Sequence, residues 1–219
     1  MSSDFTTADV AIAPHRLEGS LYLPQSPRGL IIFAHGSGSS RFSPRNRLVA
    51  ERLAARGFAC LLFDLLTAQE GELRRNVFDI PLLGARVTEA IAWAGAESKT
   101  SALPIGLFGA STGAAAALVA AADEPRVAAV VSRGGRPDLA GDALERVQAP
   151  TLLIVGGLDY GVIELNRSAQ QLLRCRNRLD IVPGATHLFE EPGTLESVVE
   201  RATNWFIEHL CATPSSASE

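Results

Sequence analysis

The sequence predicts an α/β fold, a mostly parallel sheet with helices on both faces. Three observations carry this expectation. Short apolar runs alternate with segments of helical spacing along most of the chain. Runs such as GLIIFA (residues 29–34) and TLLIV (151–155) are apolar at successive positions, as strands buried on both faces are. Glycine-bearing polar turns then follow several of these runs, and each turn holds a chemically active side chain. Alternation of this length implies right-handed crossovers between parallel strands, with ligands held beyond the strands' carboxyl ends.

Taken in order, residues 15–23 read as a strand through Leu17, Leu21 and Leu23, with 10–13 as its candidate partner. Residues 29–34 are the next strand. Residues 44–56 follow as a helix with apolar positions at Leu48, Leu53 and Ala54, stopped by Gly57. Strand 58–65 and helix 81–96 come next, then strand 103–108. The alanine-rich stretch 114–122 reads as a helix, because alanine is the best helix former. Further strands are expected at 126–131, 151–155 and 178–182, and helices at 163–173 and 193–210. No internal repeat or low-complexity linker interrupts the pattern. The organisation expected is a single domain over residues 1–212, with a disordered tail at 213–219 (TPSSASE).

Composition narrows the function classes. A hydrophobic content of 47% with 20% charged residues argues for a globular chain with a large core. The net charge is −4 and the basic residues form no stripe, so nucleic acid is not an expected partner. No apolar run approaches the roughly 20 residues needed to span a bilayer. The N-terminal residues lack the basic start and apolar core of a secretory signal. Three widely separated cysteines (Cys60, Cys175 and Cys211) suggest neither a metal site nor a redox pair. A cytoplasmic protein, monomer or homodimer, that acts on a small molecule is the resulting expectation.

The most informative stretch is LPIGLFGASTGAAAA at 103–117. An apolar strand runs into Gly109-Ala110-Ser111-Thr112-Gly113, and a helix leaves it. A G-x-S-x-G sequence in that context places its serine on a sharp turn, where small neighbours let the backbone double back. The Ser111 hydroxyl then stands at the carboxyl end of the sheet and the amino end of a helix, where unpaired N–H groups favour a developing anion. A phosphate-binding reading of 106–113 is disfavoured, because no lysine follows the glycines.

A serine hydroxyl needs a base, and the base needs an orienting acid. Of the histidines (His15, His35, His187 and His209), His187 lies in the turn after the last strand and is the candidate base. Asp159, in GGLDY after the 151–155 strand, is the candidate acid, with Asp138 or Asp142 in reserve. The order Ser111, Asp159, His187 is the one described for this kind of elbow. The first oxyanion-hole donor expected is the Thr112 N–H. The second is the Ser37 N–H, from the loop HGSGSS at 35–40. His35 is expected to hold that loop through its ring, and Asp64 to be structural. Arg133 follows a strand and reads equally as a partner for a substrate carboxylate or as half of a structural ion pair. Phe78, in the charged loop 67–79, and Tyr160 complete the candidate pocket.

These motifs in this order resemble the α/β-hydrolase superfamily. HGSGSS at 35–40 is similar to its oxyanion loop and GASTG at 109–113 to its nucleophile elbow. GGLDYGV at 156–162 is similar to its acid turn and GATHLF at 184–189 to its histidine turn. The resemblance covers about residues 31–210. Compact size and the short connection 132–147, where larger members carry a lid, are most similar to the dienelactone-hydrolase-like branch. The resemblance implies a three-layer α/β/α sandwich of seven or eight strands with no lid domain. It also implies hydrolysis of a carboxylic ester or related acyl bond through an acyl-enzyme, with no metal or organic cofactor. Dienelactone hydrolases themselves use cysteine where this chain has Ser111, which turns the expectation towards a serine esterase. An acyltransferase using the same triad, and a non-catalytic ligand-binding protein on the same scaffold, are the alternatives.

Overall fold

The computed structural model describes residues 5–211. The expected tail and the outermost ends of the expected domain lie outside the described residues. Eight strands form one sheet: β1 (Phe5–Ile12), β2 (Leu17–Pro24), β3 (Leu30–Ala34), β4 (Ala59–Phe63), β5 (Ile105–Ala110), β6 (Val127–Arg133), β7 (Thr151–Gly156) and β8 (Asn177–Val182). Their spatial order is β1-β2-β4-β3-β5-β6-β7-β8. The β1–β2 and β2–β4 pairs are antiparallel, and β4 through β8 pair in parallel.

Six α-helices connect them: α1 (Pro44–Ala54), α2 (Ala68–Gly71), α3 (Ile80–Ala96), α4 (Thr112–Asp123), α5 (Tyr160–Leu172) and α6 (Thr194–Leu210). The pleat assigns alternate strand residues to opposite faces. Ile31, Phe33, Leu62 and Val131 pack with Val49 and Leu53 of α1 and with Val198 and Phe206 of α6. Leu30, Ile32, Leu107 and Val130 pack on the other side with Val87 and Ile91 of α3, the alanines of α4 and Ala169 of α5. The result is the three-layer sandwich of the α/β-hydrolase fold. No helix among the described residues is long and apolar enough to cross a membrane.

Several boundaries differ from the sequence expectation for physical reasons. The N-terminal pairing is a full hairpin reaching back to Phe5, not a strand with a four-residue partner. Strand β5 starts after Pro104, which has no N–H for the ladder, and runs on to Ala110. The loop 67–79 is not unstructured. A reciprocal capping box between Thr67 and Glu70 starts α2, and a 3₁₀ turn at Asn76–Phe78 follows. The connection after β6 contains a 3₁₀ segment, Pro137–Arg146, kinked at Gly141.

Helix α4 is pressed against the sheet directly behind the elbow. A Cβ built at Gly113 would lie 2.2 Å from the Ala34 carbonyl oxygen and 2.4 Å from that of His35. Only glycine permits that approach. It brings the amino end of α4 beside the loop that leaves β3, which fixes the distance between the two stretches expected to supply oxyanion donors.

Candidate active site

Ser111 sits between β5 and α4 with φ 51° and ψ −124°, a left-handed conformation for a non-glycine residue. A residue held there costs about 1–3 kcal/mol and persists only where its surroundings over-determine it. Here they do. Its N–H donates to the Arg133 carbonyl at 3.3 Å, and its carbonyl accepts from Arg136 N at 3.0 Å and Ala114 N at 3.1 Å. The hydroxyl is left at the sheet's rim. Gly36 lies against it, since a Cβ built there would be 3.0 Å from Ser111 Cβ.

The acid and histidine turns are laced together through their backbones. Gly157 N donates to Val182 O at 2.8 Å, and Leu158 N to Ala185 O at 2.9 Å. A Cβ built at Gly156 would lie 2.5 Å from the carbonyl oxygens of both Ala185 and Thr186, so the strand end must be glycine for the turns to meet. Asp159 occupies the N-cap of α5, yet its side chain makes no cap bond. Its Oδ2 instead accepts from His187 Nδ1 at 2.6 Å. Aspartate at an N-cap normally contributes about 1 kcal/mol through that cap, so this carboxylate is committed to the histidine at the expense of its own helix. Phe189, 2% exposed, anchors the far side of the histidine turn in the core. The His187 ring reaches over Gly134, with Cε1 3.7 Å from a Cβ built there.

Ser111, His187, Gly36 and Ser37 line one cleft of about 290 Å³. Ser111 and His187 are not hydrogen-bonded to each other among the described residues. Catalytic bonds in an empty site are commonly long and tighten on substrate binding. The Thr112 N–H, first in its helix, has no intrahelical acceptor by position. The Ser37 N–H donates to the Thr112 hydroxyl at 2.8 Å. That bond ties the loop to the elbow and engages the amide expected as the second oxyanion donor, a contact that no local motif signals.

His35 holds the same loop from behind. Its Nε2 accepts from Leu65 N at 3.1 Å, which leaves Nδ1 carrying the proton opposite the Gly36 carbonyl at 3.0 Å. Burial pushes this imidazole below its ordinary value, against the raising influence of the Gly36 carbonyl and Asp64. With both ring nitrogens engaged, it has no free base function. Asp64 accepts from Arg41 N at 2.7 Å and pairs with the Arg41 guanidinium. The reserve acids are elsewhere engaged or remote: Asp138 is held in a fork by Arg136 at 2.8 and 2.9 Å, and Asp142 does not line the cleft.

Arg133 ends β6 and lines the cleft, 7% exposed. Of its two expected readings, the structural ion pair is not found among the described residues. Its Nη2 donates to the neutral Asn46 side chain at 3.2 Å, and its Nε is buried without a partner. Burial, together with the nearby charge of Arg45, pushes its pKa down to about 10. Two pocket assignments are corrected. Phe78 is 53% exposed in its 3₁₀ turn, and Tyr160 is 70% exposed on the first turn of α5; neither lines the cleft. Their local turns direct both side chains to solvent. The residues missed are Ser43, Arg45 and Asn46, which the amino end of α1 brings to the cleft. The Ser-Pro start of that helix was their only sequence signal. A larger cavity of about 500 Å³ adjoins across loop 36–40, with Leu17, Leu65, Leu66, Val77 and Leu83 among its walls.

Comparison with known proteins places this arrangement among relatives. The family model described as the dienelactone hydrolase family matches residues 17–210. A dienelactone hydrolase of Anabaena variabilis is 52% identical, with a TM-score of 0.90 over 94% of this chain and 98% of that one. Est1E from Butyrivibrio proteoclasticus has a TM-score of 0.76 at 18% identity, over 93% of this chain and 99% of its own, a likeness of fold alone. A Mycobacterium tuberculosis protein provisionally named a phosphoribosyl transferase is 61% identical over 204 residues, which is 92% of this chain and 46% of the relative. The chain therefore spans about half the length of that curated relative.

Proposed function

Because this chain belongs to the dienelactone hydrolase family, a family of hydrolases, we propose that it cleaves carboxylic esters of small substrates with Ser111 as nucleophile, His187 as base and Asp159 as orienting acid. The observation that carries this reading is the 2.6 Å bond from His187 Nδ1 to Asp159, made at the expense of the α5 cap and beside the strained Ser111 elbow. With Nδ1 committed to Asp159, Nε2 is the nitrogen free to accept the serine proton. Ser111 Oγ attacks the ester carbonyl carbon as its proton passes to Nε2, and the Asp159 carboxylate offsets the imidazolium charge. The oxygen that becomes negative is met by the Thr112 amide and, once it exchanges its bond to the Thr112 hydroxyl for one to the substrate, by the Ser37 amide. Donors of this kind are worth about 3–4 kcal/mol each when fixed in advance. Collapse of the adduct expels the alcohol, which takes the proton back from His187. Water, deprotonated by the same nitrogen, then releases the acid from Ser111.

The transferase in the mycobacterial relative's name belongs to a protein about twice this length, of which the match covers 46%. The same triad would also pass an acyl group to an alcohol, and added alcohol would then divert product from acid to ester. Hydrolysis of short-chain p-nitrophenyl esters and labelling by a fluorophosphonate probe test the main reading. Ser111→Ala should abolish labelling and lower the rate by ~10⁴-fold or more. Undiminished turnover in that variant would remove Ser111 from the mechanism.

A further inference from the structure

We propose that the cleft beside Ser111 contains a subsite for a phosphate-type dianion, formed by Arg133, Arg45 and the amino-terminal turn of α1, so that the ester hydrolysed carries a phosphate group. The proposal rests on the hydrolase reading for the word "ester", but the subsite itself does not.

Arg133 begins at the nucleophile, since its carbonyl accepts the Ser111 N–H, and its side chain runs under α1 to Asn46. A buried guanidinium is ordinarily paired, because removing its hydration without a counter-charge is costly. Arg86, similarly buried, shows the usual solution: Glu70 at 2.5 Å and Glu89 at 2.8 Å hold it. Arg133 has no carboxylate partner among the described residues, and no aspartate or glutamate lines its cleft. A purely structural cation would not be left in that condition.

The other walls have the same sign. Arg45 lines the cleft from α1, pairing at the rim with the exposed Glu190 at 3.1 Å. Ser43 caps the eleven-residue α1 by accepting the Asn46 N–H, and Pro44 has no N–H, so what the amino end adds is chiefly the partial positive charge of the helix. The Ser39 and Ser43 hydroxyls and the Asn46 amide add neutral donors. These groups arrive from β6, from α1 and from loop 36–40, which are separate directions. A planar carboxylate has two oxygens to offer and one charge. A phosphate monoester offers three oxygens and close to two charges, which suits two guanidinium groups and a helix terminus together. The phosphate is bound and not transformed. The bond broken is the acyl C–O bond at Ser111, with water supplying the hydroxyl.

Two measurements test this. Calorimetric titration of inorganic phosphate into wild type and into Ser111→Ala should show the same binding, because turnover is not needed. Arg133→Met should weaken it by about 10- to 100-fold, the usual loss for a hydrogen bond to a charged group, and Arg133→Lys should recover part. Melting curves establish that each variant is folded. Second, kcat/KM for 1-acetylglycerol 3-phosphate should exceed that for neutral 1-acetylglycerol by at least about 10-fold, with the ratio collapsing in Arg133→Met. Phosphate binding unaltered by Arg133→Met would overturn the subsite. So would an equal preference for an acetyl ester carrying a carboxylate, since that preference would need one charge only. Phosphate binding to Ser111→Ala with no ester turned over by wild type would sustain the subsite and remove the hydrolase reading. Turnover of neutral esters with no phosphate binding would do the reverse.

Discussion

Replacing Arg133 with methionine should make the protein more stable. The guanidinium is 7% exposed and its pKa is pushed down from its ordinary value to about 10, first through burial and then through repulsion from Arg45. One pKa unit corresponds to 1.36 kcal/mol, so holding this side chain charged in place costs about 3 kcal/mol. Methionine fills similar volume without a charge, but it strands the Asn46 side chain, itself 2% exposed, at a cost of about 1 kcal/mol. The net gain is about 2 kcal/mol, or roughly 4–8 °C in Tm for a chain of this size. The sign holds across the working pH range. A cation whose pKa is depressed by folding destabilises wherever it stays protonated, and relief comes only as pH rises above about 10. The gain should therefore be flat between about pH 6 and 9. Thermal denaturation of both proteins in phosphate-free buffer reads it directly. A lower Tm for the variant would mean that something in the resting protein already neutralises Arg133. Adding phosphate should then narrow the gap by raising the wild type alone, by about 2.7 kcal/mol at a hundredfold excess over Kd.

Three further outcomes follow from the geometry of the rim. Asp159→Asn keeps the shape of the side chain but loses the charge that faces His187 Nδ1; kcat for p-nitrophenyl acetate should fall ~10³- to 10⁴-fold with an unchanged melting curve, and a loss below ~10-fold would deny Asp159 its role. Thr112→Val frees the Ser37 amide from its 2.8 Å partner, so kcat should fall by about 10-fold or more with little change in KM while Thr112→Ser stays near wild type; equal rates in all three would show that the bond does not position the loop. His35 and His209 are both pushed below the ordinary 6.5, each chiefly by burial. The unfolded chain thus takes up protons near pH 6.5 that the folded one resists, and stability should drop as pH falls below that value. Denaturant midpoints at pH 7.5 and 5.5 should show the drop, and His35→Gln should reduce it; an identical slope in the variant would contradict the burial argument.

Much of this fold was legible because its signals are local. Continuous apolar runs mark strands buried on both faces, and β3, β5 and β7 fall within two residues of where the runs place them. Strand order was not legible, since nothing in residues 59–63 says that β4 lies between β2 and β3. Ser111, Asp159 and His187 stood out for the same local reason, each in a glycine-bearing turn after a strand. What escaped depends on residues distant in the chain. The Thr112 hydroxyl meets a loop 75 positions away, and Asn46 meets Arg133 across 87. That Arg133 lacks a carboxylate is a property of the whole assembled wall, which no single stretch encodes. Phe78 and Tyr160 fail in the opposite direction: an aromatic residue type does not say where a 3₁₀ turn or a helix's first turn points its side chain.

The unfavourable features of the molecule share one location and one character. Ser111 is held at positive φ, at about 1–3 kcal/mol. Asp159 forgoes a cap worth about 1 kcal/mol. Arg133 remains charged without a carboxylate partner, at about 3 kcal/mol by its displaced pKa. Together these reach about 5–7 kcal/mol, comparable with the whole stability of an ordinary domain at about 5–15 kcal/mol. A chain under selection for stability alone would remove each with one substitution. In every case the local rule is broken in favour of the rim: Ser111 and Arg133 line the cleft, and Asp159 gives up its cap to hold the histidine that lines it. The apolar layers on both sides of the sheet supply the excess that tolerates them, above all α4, whose alanines 114–117 are wholly buried against the strand that carries the elbow.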